Sequence, residues 1–518
     1  MKKVLKYIVL VIIISFVGCS KDSTSEEDDT PIEKILVTIV SNSGTASEPA
    51  NHSGFTIRAS KAFEENIIVS YTVNGSATNG TDYIEISGNA TILANTTSII
   101  IPITIIDDSE SEEIENVSIT LTNTDNSNVI LGTLNSASLN ITNEADEFLL
   151  SPSEAKFYLV NSNATTETIA LFYNLNKIAR TSFIVGQQDA FNSFFNDATG
   201  ISDMKKTTGN DPGLLGSDFM FIADDGNDET GGNFYYKHEL KIKADVVEAY
   251  NKGMVNTFAW HMREPFEGDH FYTASMTDFQ KNNAFISILP GGENHNYYKA
   301  KLDKVAKVTK SLVGNDGKLI PIIFRPFHEF DGNWFWWGKD YCTPQQFIDL
   351  WRFTVNYLKD TKDVNNMLFA FSPDRHYTSE AQYLERYPGD TYVDILGMDN
   401  YGDFNNQGMV GLAQANAKLK ILTDLAKQKV KIAALTESCF FVTPGTNTPI
   451  PNFYTQDLYN SLTDNDVKLS YMMFWSNIAA SYCVPAPSNS NANDFIAFSN
   501  KTDVLLQNSL PNVYELPE

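Results

Sequence analysis

Residues 320–338 read IPIIFRPFHEFDGNWFWWG, and this stretch contains the pattern that decides the fold. Its first part, residues 320–327, is a nearly continuous apolar run, which is typical of a β-strand buried on both faces. His328 and Glu329 follow directly, and Trp334 stands five residues beyond Glu329. The stretch therefore predicts a buried parallel strand whose carboxyl end presents polar and aromatic side chains.

Seven further apolar runs of this kind recur along the chain. They occupy residues 183–187, 215–222, 254–260, 367–372, 393–398, 432–436 and 469–475. Helical stretches lie between several of them, for example 344–360 and 411–428. Strand–helix alternation repeated eight times predicts an α/β fold, a (β/α)8 TIM barrel, over residues 150–518.

Polar residues stand where the predicted strands end. Glu329 follows the fourth strand and Glu437 the seventh, so the two carboxylates are expected to face each other across the barrel mouth. Retaining glycosidases need such a pair, with the carboxyl groups about 5–5.5 Å apart. Trp334 is the predicted stacking surface for a sugar ring, and Trp475 the floor beneath it, since pyranose rings offer apolar C–H faces to aromatic side chains.

Several alternatives to these assignments stay open. A glutamate at a strand end can be a structural ion-pair partner, and His261 can be a satisfied core histidine. Asp399 either orients a sugar hydroxyl or caps its loop. Trp336 and Trp337 are predicted to pack in the core, because neighbouring side chains on an extended segment diverge. His328-Glu329 resembles the start of the helical zinc motif His-Glu-x-x-His. Zinc is excluded there, because the second histidine of that motif would be position 332, which is Gly.

The residues also carry a family resemblance over about 155–510. RPFHEFDGNWFWWG, the LTE that ends at Glu437, the Trp-His at 260–261, GQQD at 186–189 and LPGGENH at 289–295 resemble glycoside hydrolase family 26. The resemblance implies that Glu329 is the acid/base and Glu437 the nucleophile of a double displacement that needs no cofactor. It matches the following residues to sugar-binding or nucleophile-orienting positions: His261, Trp334, Tyr401 and Trp475. The predicted substrate-binding set also includes His328, which precedes the acid/base, and Asp399 at the end of the sixth strand.

The resemblance also implies a substrate class. Its commonest substrate is β-1,4-mannan, so an endo-β-1,4-mannanase acting on a neutral β-mannan or galactomannan is the expected function. Mixed-linkage β-glucanase, β-xylanase and a non-catalytic glycan-binding protein on a retired barrel remain alternatives. Neither endo against exo action nor the sugar itself follows from the sequence.

The first residues have the features of an export signal. Residues 1–18 combine three lysines with a short apolar run that rises only about 18 Å as a helix, too little for a ~30 Å bilayer core. Gly18-Cys19 resembles a lipobox, which implies lipidation of Cys19 and an anchor in the outer membrane or at the cell surface. An ordinary signal peptide is the alternative. Residues 19–34 are acidic and polar, which predicts a solvated tether.

Residues 35–146 change character to short alternating strands separated by Asn, Gly, Ser and Thr turns. About seven strands are expected, which predicts an all-β sandwich. EPANHSGFTIRAS (48–60), YTVNGSATNGTDY (71–83), IDDSESEEIE (106–115) and LTNTDNSNVILG (121–132) resemble a Calx-β module. That resemblance implies calcium at one end of the sandwich, with a solvated acidic rim as the alternative. The matching acidic positions are Glu48, Asp82, Asp107, Asp108, Glu112 and Glu115.

Composition limits the partners. The chain has 38 Lys and Arg against 64 Asp and Glu, a formal net charge of −26, so we expect no nucleic-acid partner and no anionic polysaccharide substrate. The four cysteines are too few for a disulfide scaffold. A pairing among Cys342, Cys439 and Cys483 is compatible with an oxidising compartment, and nothing in the sequence selects one.

Overall fold

The computed structural model describes residues 34–42, 44–47, 52–106, 114–142 and 150–517 of the chain. The predicted signal and most of the tether, including Cys19, lie outside the described residues, as do four of the acidic positions assigned to calcium: Glu48, Asp107, Asp108 and Glu112. The chain divides into two compact units, Met1–Glu144 and Ala145–Glu518.

The first unit is built from nine described strands: β1 (Ile35–Ser41), β2 (Thr45–Ser47), β3 (Ser53–Ala59), β4 (Ile67–Gly75), β5 (Asn89–Ile92), β6 (Ser98–Ile103), β7 (Glu115–Thr124), β8 (Val129–Leu131) and β9 (Ser136–Thr142). They form one sheet in the order β6-β3-β1-β8 and another in the order β2-β9-β7-β4-β5. Alternate residues of β1 and β4 are buried, as a half-covered sheet requires. The sequence predicted about seven strands, two fewer than the nine described. The strands β2 and β8 have three residues each, which is too short to show a readable alternation.

The second unit contains the barrel strands: β10 (Phe183–Gln188), β11 (Leu214–Asp218), β12 (Val255–Ala259), β13 (Ile322–Arg325), β14 (Met367–Phe371), β15 (Ile395–Asn400), β16 (Ile432–Ser438) and β17 (Tyr471–Phe474). Each pairs in parallel with the next, and β10 pairs with both β11 and β17, which closes the barrel. A short strand, β18 (Val504–Leu505), pairs with β10 from outside this closed set. The predicted (β/α)8 fold is confirmed.

The described part of the second unit contains ten α-helices: α1 (Thr166–Ile178), α2 (Asp203–Thr208), α3 (Phe234–Asn251), α4 (Asp278–Ile288), α5 (His295–Ser311), α6 (Pro344–Asn356), α7 (Glu380–Tyr383), α8 (Gly408–Lys429), α9 (Tyr459–Thr463) and α10 (Ala492–Ser499). Single turns of 3-10 helix occupy Ala155–Phe157, Thr273–Ser275, Asp390–Tyr392, Asp464–Asp466 and Gln507–Ser509, and π turns occupy Tyr357–Thr361 and Phe453–Leu458. Among the described residues, no helix is long and apolar enough to cross a membrane.

Local chemistry explains where several elements begin and end. The fourth barrel strand ends at Arg325, two residues before the predicted end, because Pro326 has no N–H to continue the ladder. The second ends at Asp218, whose carboxylate accepts the Met220 N–H and turns the chain. Thr343 and Gln346 form a capping box at the start of α6, with Pro344 at its first position. The 344–360 prediction therefore has the correct start, and its last residues continue α6 as a π turn.

One disulfide joins the ends of two barrel strands. Cys439 directly follows β16, Cys483 lies in the segment after β17, and their Cα atoms are 5.4 Å apart. Cys342 is free and buried. The structure thus selects the pairing that the sequence left open.

Candidate active site

The backbone after the fourth barrel strand is strained. Phe327 and Glu329 both adopt the left-handed region, with φ of 53° and 54°. This conformation costs a non-glycine residue about 1–2 kcal/mol, and such residues cluster at functional sites. The Glu329 N–H donates to the Ser372 carbonyl at 2.9 Å, which fixes the turn against the end of β14. The carboxyl group is thereby aimed into the barrel mouth.

The structure brings the two predicted glutamates together. One carboxylate oxygen each from Glu329, Asp399 and Glu437 lies within 4.8 Å of those of the other two. All three side chains are buried. The spacing of Glu329 and Glu437 fits the short-separation geometry of retaining glycosidases rather than the about 6.5–9.5 Å that inverting enzymes use.

Glu437 is held by two donors. Arg325 Nη2 donates to its Oε1, and the Tyr401 hydroxyl donates to its Oε2 at 2.8 Å. The Tyr401 ring is itself parallel to Phe441, with 6.0 Å between ring centroids. An ionised carboxylate accepts hydrogen bonds of this kind, and two of them fix its orientation.

Asp399 is buried beside the two glutamates. Its side chain is fully buried and accepts from Arg325 Nη1 at 2.6 Å, Thr436 Oγ1 at 2.6 Å and Ser372 Oγ at 2.9 Å. These three bonds support a structural role for Asp399, and the sugar contact stays a prediction. Asp399 orients Arg325, which in turn orients Glu437.

Glu329 is arranged to keep its proton. Burial raises its pKa well above the ordinary value, and the negative charges of Asp399, Glu437 and Asp374 raise it further. The Trp334 indole Nε1 donates to Glu329 Oε2 at 2.5 Å and opposes this rise. A protonated carboxylic acid beside a carboxylate that accepts from two donors is the arrangement that acid-assisted nucleophilic displacement requires.

Two histidines form a chain beside the acid. His261 Nδ1 lies 2.5 Å from Asp218 Oδ2, and its Nε2 lies 3.2 Å from His328 Nε2. Burial alone would lower the pKa of His261, but the Asp218 carboxylate outweighs it and raises that pKa. Burial lowers the pKa of His328 well below its usual value, and His261 and Arg325 lower it further. One proton between the two facing Nε2 atoms is consistent with these opposite shifts.

His328 is buried and faces His261. Its side chain is 1% exposed and its Nε2 contacts the His261 Nε2, so direct substrate binding by His328 stays a prediction. His261, at 8% exposed, is the member of the pair nearer to solvent. Its ring centroid lies 5.9 Å from that of Trp475.

The aromatic residues are divided between cleft and core. Trp334, Tyr401 and Trp475 are partly buried, and each keeps some surface that a ligand can contact. Trp336 and Trp337 are fully buried, and their indole N–H groups donate to the Met262 and His328 carbonyls. The predicted core packing of this pair is confirmed.

Sequence reasoning missed three residues of the site. Arg325 lies inside an apolar run that predicts a strand, although a charged side chain in such a run signals a buried partner. Asp218 falls inside the predicted strand 215–222, which extends past the observed end of β11. Tyr272 is half exposed with its ring stacked on Phe335 at 5.3 Å, and the charges of Glu329 and Glu437 add to the burial that raises its pKa. Nothing local marks Tyr272, because only the folded loop brings it to the carboxylates.

The three clustered carboxylates are a geometric candidate for a cation, but their chemistry points elsewhere. Arg325 already donates to both Asp399 and Glu437, so it supplies the positive charge that a metal ion would bring. In the first unit, Asp82 is buried and accepts the Thr78 N–H at 2.5 Å, while Glu115 begins β7. The other four members of the predicted calcium set lie outside the described residues.

Comparisons with known proteins agree with this geometry. The model of glycosyl hydrolase family 26 matches residues 160–460, and the Calx-beta domain model matches residues 30–145. Among solved structures, GH26C from Muricauda sp. MAR_2010_75 is 60% identical, with a TM-score of 0.71, 71% of this chain covered and 99% of that chain. A GH26 beta-mannanase from Bacteroides ovatus is 33% identical, with a TM-score of 0.61, covering 68% of this chain and 98% of that one.

A curated relative is also similar. The mannan endo-1,4-beta-mannosidase of Bifidobacterium adolescentis is 34% identical over 325 residues, which are 61% of this chain and 31% of the relative. The chain spans 57% of a Bacillus subtilis mannan endo-1,4-beta-mannosidase that it also matches. It thus covers less than two thirds of the length of these curated relatives.

Proposed function

The chain belongs to glycosyl hydrolase family 26, and from that premise we propose that it is an endo-acting β-1,4-mannanase. Its substrate is a neutral mannan-type polysaccharide such as β-mannan or galactomannan. The observation that carries the proposal is the pair of buried carboxylates of Glu329 and Glu437, whose oxygens lie within 4.8 Å at the carboxyl end of a closed parallel barrel. The mannanase names of the relatives support the choice of sugar.

The first step forms a covalent intermediate. Glu437 attacks the anomeric carbon of the mannose at the cleavage point, and the bond to the glycosidic oxygen breaks as Glu329 gives that oxygen its proton. The shortened chain leaves as an alcohol. Arg325 and Tyr401 keep the Glu437 oxygens aimed during the attack, so reorganisation in the transition state is small.

The second step releases the sugar. Glu329, now a carboxylate, takes a proton from a water molecule, and the resulting hydroxide equivalent displaces Glu437 from the anomeric carbon. Two inversions at one carbon leave the configuration retained. Both steps use only side chains of this chain, so no cofactor takes part in the mechanism.

A substrate panel tests the proposal. The full chain is incubated with β-mannan, galactomannan, lichenan and β-xylan, and the products are separated by size. We expect internal cleavage of the mannans, with anomeric configuration retained when followed by proton NMR. Release of sugar from lichenan or xylan alone would move the enzyme to another substrate of the family, and release of mannose from chain ends alone would contradict endo action.

Variants at the two carboxylates separate catalysis from binding. Glu329→Ala and Glu437→Ala should each lower kcat by about 10³-fold or more while mannan binding persists. Azide supplies a small nucleophile, so we expect it to give a β-linked glycosyl azide with Glu329→Ala and an activated substrate, and an α-linked one with Glu437→Ala. A wild-type chain that binds mannan but releases no sugar from any β-glycan would instead support a non-catalytic glycan-binding protein.

We also propose that Cys19 is lipidated and anchors the protein at the outer membrane or cell surface. The support is the sequence of residues 1–19, which combines a basic start, a short apolar run and Gly18-Cys19. Expression in a Gram-negative host and detergent partitioning test this proposal. Cys19→Ser should move the protein from the detergent phase to the aqueous phase, and an unchanged distribution would contradict the anchor.

For the first unit we propose calcium binding at the acidic end of the sandwich. The match to the Calx-beta domain model over residues 30–145 supports it, and Asp82 and Glu115 are the described candidates. Thermal unfolding with calcium and with a chelator tests the proposal, because a ligand bound to the folded state raises its Tm. An identical transition for the sandwich under both conditions would contradict it.

A further inference from the structure

The loop after β14 places a histidine beside the proposed acid. The ring centroid of His376 lies 6.0 Å from that of Trp334, whose indole donates to Glu329 Oε2. Asp374, on the same loop, is close enough for its charge to raise the pKa of Glu329. His376 is therefore two contacts away from the group that protonates the leaving oxygen.

The loop that carries His376 is fixed by a residue next to the acid. Asp331, two residues after Glu329, accepts the backbone N–H of Asp374 at 2.6 Å and that of His376 at 3.1 Å. His376 Nδ1 lies 3.2 Å from Asp374 Oδ2 and 3.7 Å from Asp331 Oδ2. Both carboxylates thus stand on the Nδ1 side of the ring.

The other ring nitrogen is left for a ligand. The His376 side chain is 38% exposed, and its Nε2 contacts no polar partner in the part of the chain that the structure describes. Burial lowers the pKa of His376, and Arg375 lowers it further against the opposing charge of Asp331, which favours the neutral ring. A sugar hydroxyl both donates and accepts, so it can pair with Nε2 in either tautomer.

We propose that His376, held by Asp331 and Asp374, binds a hydroxyl of the leaving sugar and so forms the first subsite on the leaving-group side of the cleavage point. The inference rests on the proposed function. An acid reaches the glycosidic oxygen from beside the leaving group, and the contacts of Glu329 lead through Trp334 to His376. Arg325 and Tyr401 donate to Glu437, the other carboxylate of the Glu329–Glu437 pair.

A comparison of two leaving groups tests this subsite in the full chain. One substrate is a nitrophenyl β-glycoside of a manno-oligosaccharide, whose leaving group has no sugar hydroxyl, and the other has a mannose in the place of the nitrophenyl group. For His376→Ala we expect the ratio of kcat/KM, sugar over nitrophenyl, to fall about fivefold to tenfold, the size of one hydrogen bond. His376→Gln keeps a donor and an acceptor at similar reach, and we expect it to recover part of the ratio.

A second measurement fills the same subsite with an acceptor sugar instead of the leaving sugar. An added manno-oligosaccharide acceptor competes with water for the covalent intermediate, and the ratio of transfer product to hydrolysis product reports acceptor binding. We expect His376→Ala to lower this ratio and His376→Gln to recover part of it.

The matched control is His238→Ala. His238 lies on α3 and its ring packs against those of Phe221 and Phe234. No described contact links it to Glu329 or Glu437. If His376→Ala lowers kcat/KM for both substrates equally and leaves the transfer ratio at the wild-type value, the subsite is refuted while the proposed function stands. If the wild-type chain cleaves neither mannoside, the proposed function itself fails.

Discussion

At the scale of single residues, the site depends on Arg325, which bonds two buried carboxylates. Arg325 is 1% exposed and donates to Asp399 at 2.6 Å and to Glu437. Hydroxyl groups also donate to both carboxylates. Those of Thr436 and Ser372 bond Asp399, and that of Tyr401 bonds Glu437. Removing any member leaves charge without its partner in a region that water does not reach.

Arg325→Met should therefore destabilise the barrel and abolish turnover. Breaking a buried ion pair by removing one partner costs about 3–5 kcal/mol. Unfolding in guanidinium chloride measures the loss, and Arg325→Met combined with Asp399→Asn should recover part of it because one uncompensated charge is gone. A free energy of unfolding within error of the wild type would contradict this account of the site.

Trp334→Phe should change the pH profile as well as the rate. In the proposed mechanism Glu329 acts as an acid, so kcat/KM should fall as pH rises through its raised pKa. The Trp334 N–H stabilises the ionised form, and its removal raises that pKa further, so the alkaline limb of the profile should move to higher pH. The profile is recorded with a manno-oligosaccharide, and a limb displaced toward lower pH would show that the indole bond has the opposite effect.

Glu329→Gln should stabilise the folded chain, and the gain should grow with pH. A buried carboxyl whose folded pKa is raised costs stability as pH rises above its ordinary value near 4.5, and the cost is complete above the folded pKa. Gln keeps an acceptor for Trp334 without the charge. The Tm of the variant should exceed that of the wild type by a few degrees at neutral pH and by less near pH 4.5; a gain that shrinks as pH rises would contradict the sign.

At the scale of elements, the site depends on strand ends being held at one level. Glu437 is the sixth residue of β16, and the disulfide from Cys439 joins the segment just beyond it to the one after β17, which carries Trp475. The backbone N–H of Trp475 donates to the Ser438 carbonyl at 3.1 Å, which adds a second link between the same two strand ends. Glu437, the proposed nucleophile, and Trp475, the predicted floor of the sugar site, are thereby fixed to each other.

Replacing Cys439 and Cys483 by Ser should lower stability by up to about 4 kcal/mol, since the bridge closes a sequence separation of 44 residues. Dithiothreitol should lower the Tm of the wild type and leave that of the double variant unchanged. Cys342→Ala is the control, because Cys342 is free and its variant should keep the full response to reductant. An unaltered Tm in the double variant would mean that the bridge does not contribute to stability.

At the scale of the molecule, the two units have separate cores. One cluster of buried apolar residues is confined to the sandwich, from Ile35 to Ile141, and the largest one runs from Leu150 to Tyr514 within the barrel unit. Each unit thus meets the requirement for an independently folding domain.

Residues 150–518 produced alone should keep kcat/KM on a soluble manno-oligosaccharide within about twofold of the full chain, because independent domains retain their own cores. Calorimetry of the full chain should resolve two transitions, one of which persists in the shortened chain. A shortened chain that folds, as judged by circular dichroism, but has lost activity would show that the sandwich contributes to the site.

The sequence by itself determined the barrel, the sandwich and the position of Glu329 and Glu437 at strand ends, because these follow from local apolar periodicity and from the rule that parallel strands end together. It also separated Trp336 and Trp337 from the cleft. The tertiary structure alone decided that Asp399 orients Arg325, that His328 faces His261, and that Cys439 pairs with Cys483. These pairings join residues 44 to 74 positions apart, and no local pattern records which distant partner a side chain meets once the barrel closes.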